Sequence, residues 1–401
     1  MNKEKLAIIS SYNDLCGNAS YTKSIFEGLS TYYDATVIPL NVELLRKKES
    51  ACAKLHIQEI CKQLQNFDCV NIQFEAGLFG SDLRSIKKRF FAIAKSSKRL
   101  VLTLHRFHGK EKYPGIHSFA LSLLKLKLSR FLFAFKEVYS NNRYLGMYQS
   151  LVQFCKKRKI PILVHTPRDK QFIQIKYNHK FVFDHPICFY DQNKIQNLKQ
   201  KYTKESFHEK FHLDGNKIYI GIFGFITKYK GHETIIKAME FLPEQYELLI
   251  FGTQHPHSIK LNEEINEYID HLLKLLDKKK LMHRVKFFGL INDDDFIKGL
   301  FGCDFTVMPY LEVNQGGSAI AALSLETESN TIFSHNHAFL ELSKYAPNAF
   351  KMFTMGNYLE LANVIRSYNK SDFAAYLKEY HQKYNIRTSM ELYQKLLNRQ
   401  F

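Results

Sequence analysis

Short apolar runs alternate with helix-patterned segments along most of this chain, and that alternation limits the fold more than any other feature. KLAIISSY (5–12), ATVIPL (35–40), DCVNIQF (68–74) and RLVLTLH (99–105) read as strands. SYTKSIFEGLSTYY (20–33), HIQEICKQLQ, RSIKKRFFAIAKSS and FALSLLKLKLSRFLFAF carry apolar residues at helical spacing. EVYSNN (137–142) and PILVHT (161–166) extend the series as strands. Apolar strands separated by helices imply a parallel sheet covered on both faces. A polar, lysine-rich stretch near 187–215 then reads as a linker. Beyond it the alternation restarts with KIYIGIFG (217–224), YELLIFG (246–252), RVKFFG (284–289), FTVMPY (305–310) and TIFSH (331–335). The expected fold is therefore α/β: two Rossmann-like, doubly wound parallel-sheet domains, 1–190 and 191–384. The amphipathic segment 385–401 is expected to form a helix that packs back on the first domain. In such sheets ligands bind at the carboxyl ends of the strands, so chemistry is sought in the loops there.

Composition narrows the partners. With 401 residues, 45% hydrophobic and 24% charged, the chain suits two or three globular domains, not a disordered polymer. No 18-residue apolar run suggests a membrane span, and the N-terminus goes directly into a strand without a leader pattern. Seven cysteines without metal-type pairing suggest reduced thiols in a cytoplasmic protein. The formal charge of +18 is unevenly placed: residues 1–200 hold 33 Lys and Arg against 15 Asp and Glu, which accounts for the whole excess. Such a field attracts anionic partners: lipid headgroups, nucleic acid or an acidic substrate. The helices with Lys87, Lys88, Arg89, Lys95 and Arg99, and the segment 119–136, suit either a solvated basic face or docking on anionic lipid.

The most informative stretch is GFITKYKGHETIIKAMEFL (224–242), a strand ending at Gly224, a loop with Lys228 and Lys230, and a helix opened by Gly231. Lysines beside a helix N-terminus suit phosphate, although a solvated loop is the plainer reading. The stretch resembles the strand–Lys-Gly–helix segment of family 4 glycosyltransferases of GT-B fold (glycosyl transferases group 1). The resemblance implies that Lys230 contacts a donor diphosphate. The family's earlier basic position falls on Phe225 or Thr227, and Lys228 stands in for it. DLCGNASYTKSIFEGL (14–29) resembles the family's glycine loop, with Gly17 and Asn18 near the donor phosphates. NIQFEAGLFG (71–80) resembles a strand-end loop of the acceptor domain and brings in Glu75. TLHRFHG (103–109) resembles the strand whose histidine, here His105, lies near the sugar. VHTPRD (164–169) matches the last acceptor-side strand, with His165 and Arg168, and FDHP (183–186) the crossing between domains. The loop around Phe288 and Gly289 would face the nucleotide base. Asp293 and Asp295 have the spacing of a metal-binding pair, but Asn292 or Asp293 capping a helix explains them better, so no metal is expected.

PYLEVNQGGSAIAALSLETESNTIFS (309–334) departs from the family pattern. Members carry two glutamates seven residues apart, and these positions fall on Gln315 and Leu323. Glu312 lies close to the first and Glu326 one turn beyond the second. The segment resembles a branch that lacks the double glutamate, in which Gln315, Gly316, Gly317 and Ser318 hold the diphosphate through backbone N–H groups. Ribose recognition is the function the change puts in question.

The resemblance implies a retaining transfer of a sugar from a nucleotide-diphosphate sugar to a hydroxyl acceptor, with catalytic roles for His105, Lys230 and Glu312. No cofactor is expected beyond the donor substrate. The expected setting is the cytoplasm, peripheral to the inner face of the membrane, in assembly of a bacterial surface glycan such as lipopolysaccharide or capsule. Two other classes fit the sequence: a weakly active GT-B-like scaffold, favoured by the missing glutamate, and a nucleic-acid-binding protein, favoured only by charge, with no recognised motif.

Overall fold

The computed structural model describes residues 3–13, 17–47, 51–107, 128–254, 267–311, 317–369 and 373–401, with the side chains of 128–141 excepted. The chain divides into two compact units, one of Met1–His185 with Met390–Phe401 and the other of Pro186–Ser389.

In the first unit six parallel strands lie in the order β2-β1-β3-β4-β5-β6. They are β1 (Lys5–Ser10), β2 (Asp34–Pro39), β3 (Cys69–Phe74), β4 (Arg99–Leu104), β5 (Ile162–Val164) and β6 (Val182–Asp184). Every residue of β3 is buried, as expected of a central strand covered on both faces. Its core is built from alternate strand residues, Ile72, Phe74, Leu102 and Leu104 among them, and from Phe79, Phe90 and Tyr148 on the covering helices.

The same central strands bury Asn71, Gln73 and Thr103, and polar groups there need partners. The C-terminal helix supplies one. Tyr393, fully buried, has its hydroxyl 3.1 Å from Gln73 Nε2, which donates to it, and 2.8 Å from Thr103 Oγ1. Asn71 Nδ2 donates in turn to Thr103 Oγ1 at 3.1 Å. Met390 of the same helix occupies the space beside Gly28, where an added Cβ would stand 2.6 Å from Met390 Cγ.

The second unit repeats the architecture with the order β12-β11-β10-β7-β8-β9, again all parallel. Its strands are β7 (Ile218–Phe223), β8 (Tyr246–Phe251), β9 (Val285–Gly289), β10 (Phe305–Met308), β11 (Thr331–Ser334) and β12 (Lys351–Phe353). The family-level expectation of two Rossmann-like doubly wound sheets is what the structure has.

Several local expectations are corrected. EVYSNN is not a strand but the middle of the helix Leu128–Lys157; no proline interrupts 128–157, and six residues of weak strand preference do not override a continuous helix. The stretch 187–215 is not a plain linker. It carries the helices Gln192–Lys201 and Lys204–Phe211, whose caps Asp191 and Thr203 accept from Lys194 N and Ser206 N. Their polar composition hides two buried anchors, Ile195 and Phe207. Arg89 is not part of a solvated basic face: it is buried and donates to the carbonyls of Leu45 and Phe79. The strand β12 and the helices His337–Tyr345, Tyr358–Arg366 and Ala374–Lys383 were not marked by a pattern strong enough to place them. No described helix is long and apolar enough to cross a membrane. Residues 119–127 lie outside the described residues.

Replacing Tyr393 by Phe leaves Gln73 and Thr103 without their shared hydroxyl. The expected loss is about 1–3 kcal/mol of stability, measured by urea denaturation of the full chain.

Candidate active site

Register places the polar residues of the first unit. In the sheet, Phe74 of β3 lies opposite Leu104 of β4, Leu104 opposite Val164 of β5, and Val164 opposite Asp184 of β6. The next residue of each strand is Glu75, His105, His165 and His185. Four neighbouring strands thus deliver one carboxyl and three imidazoles in a row at their carboxyl ends. Backbone bonds hold the row: His105 N donates to Phe74 O at 3.2 Å and His185 N to Val164 O at 3.1 Å.

The imidazoles of His105 and His165 stack at 5.0 Å between centroids and 29° between planes. Tyr21, on the helix Gly17–Leu29, sets its ring edgewise against both. His165 Nδ1 lies 3.1 Å from the His185 carbonyl oxygen, and His165 Nε2 lies 3.2 Å from His105 Nδ1. Burial lowers the affinity of both rings for a proton, well below the usual range for His105 and to about 4 for His165. Burial likewise raises the Glu75 carboxyl, with the charge of Arg106 opposing it. Arg168 stands in the first turn of the helix Pro167–Tyr177, which Thr166 caps by accepting from Asp169 N. Gly17 and Asn18 open their helix, and the Asn18 carbonyl accepts from Thr22 Oγ1. Tyr21 and His185 are the participants that sequence reasoning missed. The strand-end register that reveals His185 requires knowing the strand order.

The second unit gathers a different cluster. β7 ends at Phe223, Gly224 turns the chain with φ +97, and a single 3-10 turn, Lys228–Lys230, leads into the helix His232–Met239. Gly231 has φ +74, and a Cβ there would stand 1.9 Å from Pro309 O, so this turn and the end of β10 touch backbone to backbone. That approach puts Lys230 beside Tyr310. Lys230 is buried, its Nζ donates to the Tyr310 hydroxyl, and it lies 4.0 Å from the Tyr310 ring centroid. The Tyr310 hydroxyl also bonds Ser318, and burial raises its pKa. Ser318 caps the helix Ala319–Glu326 by accepting from Ala321 N at 3.3 Å. Gly224 lines the same spot: a Cβ on it would come 3.7 Å from Lys230 Nζ. A cation, a phenol, a hydroxyl and a helix N-terminus therefore converge, a set suited to anionic oxygen. Next in the chain, His232 is buried, and burial followed by the Lys230 charge lowers its pKa to about 3. Tyr310 was visible in the sequence only as part of a motif; its contact with Lys230 depends on β7 and β10 being neighbours.

The remaining expectations divide. Lys228 is exposed at the turn and does not join Lys230 in the buried cluster. Gly317 packs close to Ile187, 3.0 Å from where its Cβ would be. Phe288 is stacked on Phe251 (5.0 Å, 13°) and Gly289 follows with φ +67. The cap of the helix Asp293–Gly302 is Asn292, accepting from Asp295 N at 2.8 Å, with Asp294 bonded to Lys201 at 2.7 Å. Glu312, Gln315 and Gly316 lie outside the described residues. Leu323 is buried, and Glu326 is turned inward: its Oε1 accepts from Phe189 N at 2.7 Å and Tyr190 N at 3.2 Å. Glu326 thus braces the segment entering this unit.

Residues 203–325 match the model of the family described as glycosyl transferases group 1. The chain is GT-B in fold and group 1-like over that segment. No curated protein sequence matches it. Among solved structures it is similar to Anabaena HepE in complex with UDP-glucose, with 15% identity, a TM-score of 0.63 and coverage of 98% of this chain and 99% of that one. It is similar to a glycosyltransferase from Rickettsia africae ESF-5, with 13% identity, a TM-score of 0.66 and 99% of both chains covered. It is also similar to the sucrose-phosphate synthase of Thermosynechococcus elongatus, with 15% identity, a TM-score of 0.64 and coverage of 99% and 100%. At such identities the likeness is one of fold.

Burial outweighs the two backbone donors on Glu326 and raises its carboxyl to about 8. A group raised in the folded state adds stability that is complete below its unfolded value near 4.5 and is lost as pH rises through 8. The contribution of Glu326 is therefore expected to fall between pH 4.5 and about 8, against the opposite trend from the buried neutral histidines. Glu326→Gln, which keeps the acceptor oxygen, should remove this share of the loss, as read from denaturation midpoints across that range.

Proposed function

We propose that this chain transfers a sugar from a nucleotide-diphosphate sugar to a hydroxyl acceptor, with retention of anomeric configuration and without a metal. The observation that carries the reading is the convergence of buried Lys230, Tyr310 and Ser318 at the N-terminus of the helix Ala319–Glu326. In this reading the donor diphosphate lies there. Lys230 and the helix N–H groups take up the negative charge that grows on the leaving phosphate. The bond between the anomeric carbon and the phosphate oxygen breaks with its electron pair leaving on that oxygen. The acceptor oxygen bonds to the same face of the sugar, and its proton goes to the departing phosphate. By the family resemblance this reading assigns His105 to the donor sugar, Gly17 and Asn18 to its phosphates, and Glu75, His165 and Arg168 to the acceptor side. Glu312, Gln315, Gly316 and Gly317 complete the donor loop, and Phe288 and Gly289 the base side.

The similar Anabaena protein is seen with UDP-glucose, and a further similar structure is WaaG, described as involved in lipopolysaccharide biosynthesis. These favour a hexosyl donor and a surface-glycan acceptor reached from the cytoplasmic side of the membrane, where the basic first half would help on anionic lipid. The inward turn of Glu326 and the apolar Leu323 favour a second reading, a GT-B-like scaffold with weak or no turnover.

A thermal-shift panel of UDP, GDP, ADP and CMP with their sugar conjugates separates the two. Ligand at a hundredfold excess over Kd should stabilise the protein by about 2.7 kcal/mol, with one base favoured. Lys230→Ala should abolish the shift and lower kcat/KM for sugar transfer by about 10²- to 10³-fold. No shift with any nucleotide, on folded protein, selects the scaffold.

A further inference from the structure

The row of histidines in the first unit has a direction. A carbonyl oxygen only accepts, so the bond to the His185 carbonyl requires the hydrogen of His165 to be on Nδ1. A neutral imidazole carries one N–H, so His165 Nε2 is an acceptor. The hydrogen shared at 3.2 Å must then come from His105 Nδ1. His105 Nε2 is left with a lone pair and no hydrogen. Among the described residues that nitrogen is shielded from solvent and has no hydrogen-bond partner, although the residue as a whole is half-buried. Backbone pairing of residues 105 and 185 to the neighbouring strands fixes both ends of the relay, and Tyr21 closes its flank. The depressed proton affinities of both rings keep them neutral, as the relay needs.

We propose that His165 is a positioning residue which, anchored on the His185 carbonyl, locks His105 in the Nδ1–H tautomer, so that His105 Nε2 receives a hydrogen bond from a hydroxyl of the bound sugar. An unpaired buried acceptor costs about 1–3 kcal/mol, and a sugar hydroxyl supplies the missing donor. A histidine free to choose its tautomer could equally present N–H, which a hydroxyl can also meet; the relay removes that choice and fixes which way the hydroxyl hydrogen points. The identity of the hydroxyl rests on the sugar-transfer reading above, whereas the tautomer does not.

The test uses the full chain with ¹⁵N-labelled imidazoles, observed by two-bond ¹H–¹⁵N correlation, with His105 assigned through His105→Gln. In the wild type His105 and His165 should both show a protonated Nδ1 and a bare Nε2. His165→Phe keeps an aromatic ring but cannot accept, and His105 should move toward the Nε2–H form. His165→Gln, whose amide oxygen can stand where Nε2 was, should restore the original form, which guards against a folding defect in the first variant. With a donor that binds, the His105 Nε2 signal should shift, and His165→Phe should lower kcat/KM about tenfold with recovery in His165→Gln. A wild-type His105 protonated at Nε2, or an unchanged tautomer in folded His165→Phe, overturns the relay. A donor that binds without moving the Nε2 signal overturns the sugar contact and leaves a trapped water as its partner. An intact relay with no nucleotide sugar bound would remove the sugar hydroxyl and count against the transferase reading, not against the tautomer.

Discussion

Parallel strand pairing is the constraint from which the rest follows. A strand covered by helices on both faces has room for apolar side chains along its length, so polar groups gather where pairing stops. In the first unit the register brings four strands to a stop on one line, and the residues at that line are Glu75, His105, His165 and His185. Asn71, Gln73 and Thr103, polar within the sheet, are held by hydrogen bonds that lead to Tyr393. The same logic operates in the second unit, where the ends of β7 and β10 are close enough for Gly231 to lie against the Pro309 carbonyl.

Lys230 shows how a cation is kept in such a place. A buried ammonium needs both hydrogen bonding and a favourable field. Tyr310 gives it a hydroxyl and the face of a ring, and Tyr229 adds a second ring at 5.4 Å. The neighbouring His232 is driven neutral, which spares the cluster a second positive charge. The result is a fixed cation beside a helix N-terminus. Glu326 at the far end of that helix does an unrelated task, holding the amides of Phe189 and Tyr190.

Much of this was legible in the sequence, and the rest was hidden for definite reasons. Period and apolar runs disclosed ten of the twelve strands among the described residues, because buried parallel strands are continuous apolar stretches. They did not disclose β6 and β12, which have three residues each and carry Asp184 and Lys351. EVYSNN looked extended in isolation and is helical because its helix runs through it. Lys230, His105 and Ser318 were found by motif. Tyr310, Tyr21 and His185 acquire meaning only from which strand lies beside which, and no local pattern carries strand order. Arg89 looked like a surface charge, but two carbonyls claim it. Glu326 stands one turn beyond the family's second glutamate position, and spacing alone does not reveal that its side chain turns inward.

The first unit is discontinuous: its sheet is made of residues up to 185, while Tyr393 and Met390 come after the whole of the second unit. During synthesis the buried Gln73 and Thr103 must wait for a hydroxyl that lies 320 and 290 residues downstream of them. The later-made unit, continuous from Pro186 to Ser389, has all its own strands before that helix emerges. The usual order, in which domains mature from the N-terminus as they leave the ribosome, is therefore reversed for the final packing step. The half of the protein that is translated first is the last to be finished.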